Sequence, residues 1–308
     1  METSPHAELH SGDNRSESPA RANTRTAAND SARTVSLSRR KFLLATGTGT
    51  AAIAALGGIP VWNGLSAGSD RACEIGTVID PPLRGTWLVM NPPGHPALAD
   101  DFIGMRSDQH LPYPASSVPR HVLHTLHAAH AYGWGRPVYA PVGGTVLEYS
   151  NDEPDRAELN LFGDALSTLV SPPGVKDGNI RPAAGNYVVI EANEGIAFLA
   201  HLRQGSVPVA DGTNVVPGQL LGEVGNSGAS LFPHLHFQLM TKWVTDMSNV
   251  EETLLPYRFS RYERRTGNLL TGHSWEPVKT CVPAQREQFR VAPNDDDEFD
   301  TDAGYMRS

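Results

Sequence analysis

Two histidines separated by one residue, His234 and His236 in the segment Pro233-His234-Leu235-His236-Phe237, form the densest concentration of reactive groups in this chain. If the segment is a β-strand, alternation aims both imidazoles at one face, with Cα atoms about 6 to 7 Å apart. Such a pair can address one small site, because imidazole is a common zinc ligand and the usual proton-transfer group near neutral pH. A His-x-His pair also occurs on the half-buried polar face of ordinary strands, so the spacing alone leaves both readings open. Further candidates are His201 in Phe198-Leu199-Ala200-His201-Leu202, and His95, which is followed by the carboxylates Asp100 and Asp101. His121, His124, His127 and His130 recur every three residues. On a helix they would spread over a broad face, where i,i+3 pairs can bind metal, but no acidic residue lies between Asp108 and Glu148. The stripe therefore reads more simply as a solvated or partly packed face, or as a lid over a cleft.

The elements that must position these groups are short strands. Alternating or continuous apolar residues, bounded by Gly, Pro and Asn, predict strands over 86–90, 137–140, 144–149, 186–191, 196–202, 219–224 and 234–240. Pro141-Val142-Gly143-Gly144 and Gly225-Asn226-Ser227-Gly228 supply tight turns. A helical pattern is confined to about 119–131. Segments 103–130 and 151–184 interrupt the strand framework as insertions, and beyond about Trp243 the chain turns polar and irregular. The predicted fold class is mainly β, with two packed antiparallel sheets and loop or helical insertions.

At 308 residues and 39% hydrophobic content, the chain can bury one good core flanked by tails. The formal net charge of -9 argues against nucleic acid as a partner. Residues 1–36 are too polar to fold. They precede Ser38-Arg39-Arg40-Lys41-Phe42-Leu43 and a weakly apolar run from Phe42 to Leu56, the pattern of a twin-arginine export signal. The run is shorter than the roughly 20 residues of a stable membrane span, so it reads as a cleaved signal or as an uncleaved anchor. Small residues before Gly68 offer a cleavage point. The expected organisation is a disordered leader with signal or anchor over 1–67, a β domain over 85–243, a C-terminal extension packed on it over 244–294, and an acidic disordered tail over 295–308. Cys73 and Cys281, too few for a four-thiolate zinc site, read either as a disulfide closing the folded region or as two buried thiols.

The order of motifs carries a resemblance. Gly135-Arg136-Pro137-Val138-Tyr139-Ala140-Pro141, Gly144-Thr145-Val146, Asn186-Tyr187-Val188-Val189-Ile190, Ala200-His201-Leu202, Gly218-Gln219-Leu220-Leu221-Gly222-Glu223-Val224-Gly225-Asn226-Ser227-Gly228 and Pro233-His234-Leu235-His236 together resemble the lysostaphin-type, or LytM-like, zinc metallopeptidases over roughly 94–240. The resemblance implies a duplicated-hybrid-motif β-fold with one zinc ion held by a His, an Asp and the second His of the pair. Mapped by motif, His236 would be a zinc ligand, while His234 and His201 would be catalytic. The family's usual His-x-x-x-Asp element is absent. The segment from Gly94 to Phe102 resembles variants with a longer His-to-Asp spacing, which makes His95 and Asp101 the expected remaining ligands, Asp101 being preferred over Asp100 and Asp108 because it directly precedes Phe102.

A zinc with three protein ligands keeps a position open for water and lowers that water's pKa toward roughly 7. His201 and His234 would then orient water, stabilise the developing oxyanion and protonate the leaving amine. The resemblance implies an exported metalloendopeptidase acting on short flexible peptides, most typically the cross-bridge or stem peptides of peptidoglycan. The main rival is a catalytically inactive scaffold or activator domain, to which the unusual His95-to-Asp101 spacing points. A lipoyl- or biotinyl-carrier module is a weaker alternative, since no lysine sits at a hairpin tip next to the Pro137–Val146 segment.

Overall fold

The computed structural model describes residues 73–91, 95–107, 109–117, 126–159, 179–245, 247–268 and 272–292. The signal segment, His121, His124, Asp108 and the acidic tail lie outside them. The strands are β1 (Thr77–Ile79), β2 (Gly85–Met90), β3 (Asp100–Gly104), β4 (Leu126–His127), β5 (Pro137–Tyr139), β6 (Gly144–Ser150), β7 (Glu158–Leu159), β8 (Asn186–Ala192), β9 (Gly195–Leu202), β10 (Asn214–Val215), β11 (Leu220–Glu223), β12 (His234–Met240), β13 (Leu254–Leu255), β14 (Tyr257–Asn268), β15 (Gly272–Cys281) and β16 (Gln288–Val291). One four-residue α-helix, α1 (Arg181–Ala184), starts on Pro182 near its N-terminus and ends at Gly185, whose φ of 67° suits glycine.

The protein is mainly β, as its periodicity predicts. Strands in the order β1-β14-β16-β2-β3-β12-β9-β8-β6-β10 form the large sheet, with β13 beside β12 and β15 beside β14. The sheet is mixed because β1 runs parallel to β14. A second sheet, β5 with β11, packs on it: Val138 and Leu221 share a buried core with Trp87, Phe102, Leu199 and Phe237 of the large sheet. Each large apolar side chain withdrawn from water there contributes about 1.5 to 3 kcal/mol.

Alternation then fixes what the opposite face carries. On β12, Leu235, Phe237 and Leu239 enter the main core, so His234, His236 and Gln238 must point the other way. On β3, Phe102 enters that core while Ile103 joins a second cluster with Leu88, Leu126 and Leu159. On β8 and β9, Tyr187, Val189, Phe198 and Ala200 build a third cluster with Met240. The histidines of β12 therefore lie on the sheet face shared by the second and third clusters.

Two expectations need correction. The stretch after Trp243 is not irregular: β14 and β15 form a long antiparallel hairpin, and β16 enters the large sheet between β14 and β2. Charged residues on two exposed strands mask the alternation there. The helix expected over 119–131 is not found in its described part, where Leu126–His127 is a strand paired with Glu158–Leu159 and Ala128–His130 is a single 3-10 turn. That pairing joins the two insertions to each other. Gly104, ending β3, abuts the same region, since a Cβ there would lie 2.2 Å from the Cα of Gly133. Cys73 and Cys281 form a disulfide. Among the described residues no helix is long and apolar enough to cross a membrane.

Candidate metal centre

Three adjacent strands and one loop bring five predicted residues together. β12 lies between β3 and β9, with His236 directly opposite Asp101 on one side and Ala200 on the other. Asp101 Oδ1 is 3.0 Å from His236 Nδ1, 3.4 Å from His95 Nε2 and 3.4 Å from His234 Nε2. The ligand atoms of His95, Asp101 and His236 all lie within 4.8 Å of one another. Asp100, the neighbouring carboxylate, points to the opposite face of the strand, where it accepts hydrogen bonds from Tyr257 Oη at 2.6 Å and Gln285 Nε2 at 3.1 Å. Of the two carboxylates, only Asp101 meets the histidines.

His95 arrives from the loop before β3. Asn91 clasps that loop by donating through Nδ2 to the Pro96 and Ala99 carbonyls at 2.8 and 2.6 Å. This clasp accommodates a longer His-to-Asp spacing while keeping the imidazole 4.7 Å, ring to ring, from His236.

His201 arrives by a different device. By alternation it would follow Ala197 and Leu199 into the main core. Tyr187 pairs with Ala200 but Asn186 pairs with Leu202, so one extra residue of β9, His201, bulges out of the ladder. Its φ of 63° is a left-handed conformation that a non-glycine residue adopts at a cost of roughly 1 to 3 kcal/mol. The bulge turns His201 to the site face, 4.6 Å from the His234 ring and 6.0 Å from the His236 ring, and Leu202 resumes its place in the core.

Three of the four imidazoles have their other nitrogen engaged, while His95 Nδ1 is buried without a hydrogen-bond partner among the described residues. His201 Nδ1 donates to the Ser227 carbonyl at 3.0 Å. His234 Nδ1 donates to the Phe232 carbonyl at 2.7 Å, with Ser230 Oγ at 3.1 Å. His236 Nε2 donates to Gln238 Oε1 at 3.3 Å. These bonds select Nε2 on His201 and His234 and Nδ1 on His236 as the nitrogens free for chemistry. The loop carrying Ser227 and Ser230 is itself pinned by the insertion: Asp155 accepts from the Asn226 amide at 2.7 Å, and Arg156 donates to the Ser230 carbonyl. Ser227 lies within the quoted Gly225–Gly228 turn, and Gln238 and Ser230 could have been found by extending the two motifs by a residue or two; Asp155 sits in an insertion with no pattern to mark it.

The cluster is buried, and burial governs its protonation. Burial holds the His95 imidazole down to about 4, assisted by His236 and His234 and opposed by Asp101. His201 is likewise held well below its ordinary value by burial and by its two histidine neighbours. Burial also lowers His234, but the negative charge of Asp101 outweighs it and leaves that imidazole raised. Burial raises Asp101, yet the surrounding imidazoles overcome this and keep it well below the carboxylate range. The result is one ionised carboxylate among clustered imidazoles, of which His95 and His201 are held toward the neutral form, and carboxylate oxygen with imidazole nitrogen is a donor set suited to a divalent cation. His127 and His130 belong to no such group: their rings are 6.2 Å apart, and His127 Nδ1 accepts from the Ala129 amide.

Residues 167–248 match the model of peptidase family M23. Lysostaphin of Staphylococcus simulans is 28% identical over 141 residues, 44% of this chain and 28% of that protein. The glycyl-glycine endopeptidase ALE-1 of Staphylococcus capitis is 35% identical over 92 residues, 27% of this chain and 25% of that protein. The chain thus spans little more than a quarter of these relatives. Among solved structures, the catalytic domain of lysostaphin from Staphylococcus simulans is 18% identical, covering 60% of this chain and 89% of that one at a TM-score of 0.28. The matched region carries the Ala-His-Leu and His-x-His strands that meet at the buried cluster, and over it the chain is similar to peptidase family M23.

Proposed function

We propose that this protein is an exported zinc metalloendopeptidase that cleaves short, flexible peptides, those of peptidoglycan cross-bridges or stems. The observation that carries the proposal is the convergence of His95 Nε2, Asp101 Oδ1 and His236 Nδ1 within 4.8 Å beside two further oriented imidazoles. The residues fit zinc by the chemistry of their donors. Two imidazole nitrogens and one carboxylate oxygen are a set used by catalytic zinc sites, and the remaining nitrogen of His236 has an amide acceptor fixing its tautomer.

When bound there, zinc supplies Lewis acidity and brings the pKa of water to about 7. The chain's own residues do the rest. His234 and His201, with Nδ1 tied to backbone carbonyls, each present Nε2 to the reacting centre. His234, kept readily protonated by Asp101, is suited to receive the proton of the attacking water and deliver it to the leaving amine. His201, held beside His234 by its bulge rather than by a flexible loop, is suited to stabilise the developing oxyanion. Peptides short of side chains suit a narrow, buried histidine cluster, and the glycyl-glycine specificity in the name of ALE-1 supports that substrate class. Export rests on the twin-arginine pattern and is consistent with the Cys73–Cys281 disulfide, since such bonds persist in oxidising compartments. The inactive-scaffold alternative loses its support, because the longer His95-to-Asp101 spacing still delivers both side chains to one place.

The test is zinc per chain by elemental analysis, alongside hydrolysis of pentaglycine and of stem peptides by the full chain. One zinc and measurable hydrolysis, both lost in His236→Ala, are expected. Wild-type protein that stays metal-free in zinc-replete medium would overturn the proposal, and bound zinc without hydrolysis would return the scaffold reading.

A further inference from the structure

The segment from Tyr257 to Val291 carries seven basic and three acidic residues in a chain whose net charge is -9. Two of the cations, Arg261 on β14 and Lys279 on β15, are exposed cross-strand partners. Like charges directly opposite one another destabilise a sheet, so folding does not ask for this pair. Among the described residues neither meets a carboxylate. Arg258 donates only to the Gly76 and Cys73 carbonyls, and Arg265 only to Gln288 and His273. Arg264 and Arg290, by contrast, are paired with Glu276 and Glu263.

Apolar groups sit beside these uncompensated cations. Val78 lies in register with Arg258 and is 42% exposed, and Ile75 is 66% exposed. The disulfide joins Cys73, two residues before Ile75, to Cys281, two residues after Lys279. A recess of about 320 Å³ opens at the same place, lined by Cys73, Arg264, Lys279 and Cys281 together with Glu287. Glu74 and Asp80 are the other acidic residues of this edge, and Asp80 is engaged by Ser260. The first described residue, Cys73, lies at this edge, and the apolar run Phe42–Leu56 precedes it in the sequence.

We propose that this edge, formed by β1 and the β14–β15 hairpin, docks on an anionic lipid surface. Arg258, Arg261 and Lys279 would face the phosphate headgroups, with Ile75 and Val78 seated at the acyl boundary. Exposed cations alone fit any polyanion; it is the two apolar side chains among them that favour a lipid surface over a soluble polymer. The docking edge is separate from the metal centre. β15 lies five strand steps from β12 by way of β14, β16, β2 and β3, about 24 Å along the sheet at the usual strand spacing. A domain docked in this way keeps its histidine cluster apart from the docking edge.

The experiment is co-sedimentation of the full chain with phosphatidylcholine vesicles, with and without phosphatidylglycerol, across a salt series. Every variant keeps the same N-terminal segment, so differences between variants report the edge alone. Arg261→Gln combined with Lys279→Gln is expected to lower partitioning onto the anionic vesicles about thirtyfold, roughly fivefold per cation. The same variant should unfold at a temperature no lower than wild type, because it removes a repulsive pair. Ile75→Ser with Val78→Ser should weaken binding at high salt, where screening has already removed most of the electrostatic part. Unchanged partitioning in the charge variant would overturn the proposal. So would binding to soluble polyphosphate as strong as to vesicles and insensitive to the Ile75 and Val78 changes, since that pattern belongs to a polymer site.

Discussion

His234 and His236 reach the candidate metal centre from one strand that is hydrogen-bonded to a neighbour on each side, whereas His95 reaches it from a loop and His201 from a bulge. The first pair is positioned by the sheet ladder itself, at no local cost. The second pair is positioned by special devices: an asparagine clasp at His95 and a left-handed residue at His201. A sheet therefore supplies rigid placement along one strand cheaply, but a site that needs groups from several directions must break regularity elsewhere.

Asp101 is where the two kinds of placement meet, since its Oδ1 touches one imidazole from the loop and two from the strand. The largest expected effect follows. Asp101→Ala should abolish zinc retention through dialysis, because it removes a proposed ligand and the carboxylate that, among the described residues, the imidazoles share. Asp100→Asn, one residue away, should retain zinc and lose about 1 to 3 kcal/mol of stability, through weakened buried bonds to Tyr257 and Gln285. Urea unfolding and metal analysis on both variants separate a ligand from an anchor. Zinc loss in the Asp100 variant with zinc retained in the Asp101 variant would reverse the assignment.

A smaller effect compares the two supports directly. Gln238→Leu removes the acceptor for His236 Nε2 on the strand side, and Asn91→Ala removes the clasp on the loop side. Loss of a group that orients a metal ligand typically costs 10- to 100-fold in affinity. The strand-side change should sit near the lower figure, because β12 still holds the ring in place. The loop-side change should approach the higher one, because the loop's other backbone bonds are one turn bond, from the Ala99 amide to the Pro96 carbonyl, and the exposed bond from the Ala97 amide to Glu251. Competition with a chromophoric chelator measures both. Equal losses would mean that ladder and clasp restrain their ligands alike.

How much of this was legible follows the same division. Leu235, Phe237 and Leu239 on one face of β12 and His234 and His236 on the other were readable from period-two alternation, as were the strands that carry them. The orientation of Asp101 away from Asp100 was also implicit, because neighbours on a strand must face opposite sides. The bulge was not. Alternation alone sends His201 toward the core with Leu199, and only the pairing of β8 with β9 shows the extra residue. Family resemblance located His201 where periodicity would have misplaced it. The β14–β15 hairpin was missed for a complementary reason: with most of β15 exposed, neither face needs to be apolar, so charged residues such as Arg264 and Glu276 leave no period to read.

The smallest predicted effect tests whether the bulge serves chemistry rather than folding. Asparagine tolerates the left-handed region better than histidine and keeps a polar group near the Ser227 carbonyl. His201→Asn should therefore change unfolding free energy by less than about 1 kcal/mol, in either direction, while peptide hydrolysis falls steeply and zinc content stays at the wild-type level. Loss of several kcal/mol in chemical denaturation would instead make His201 a packing residue whose strain is offset by burial. Wild-type hydrolysis in the variant would remove it from the reaction altogether. Either result would leave the unusual backbone at this position without the functional reason given for it, because a strand that needed only to fold would place an ordinary residue there in ordinary register.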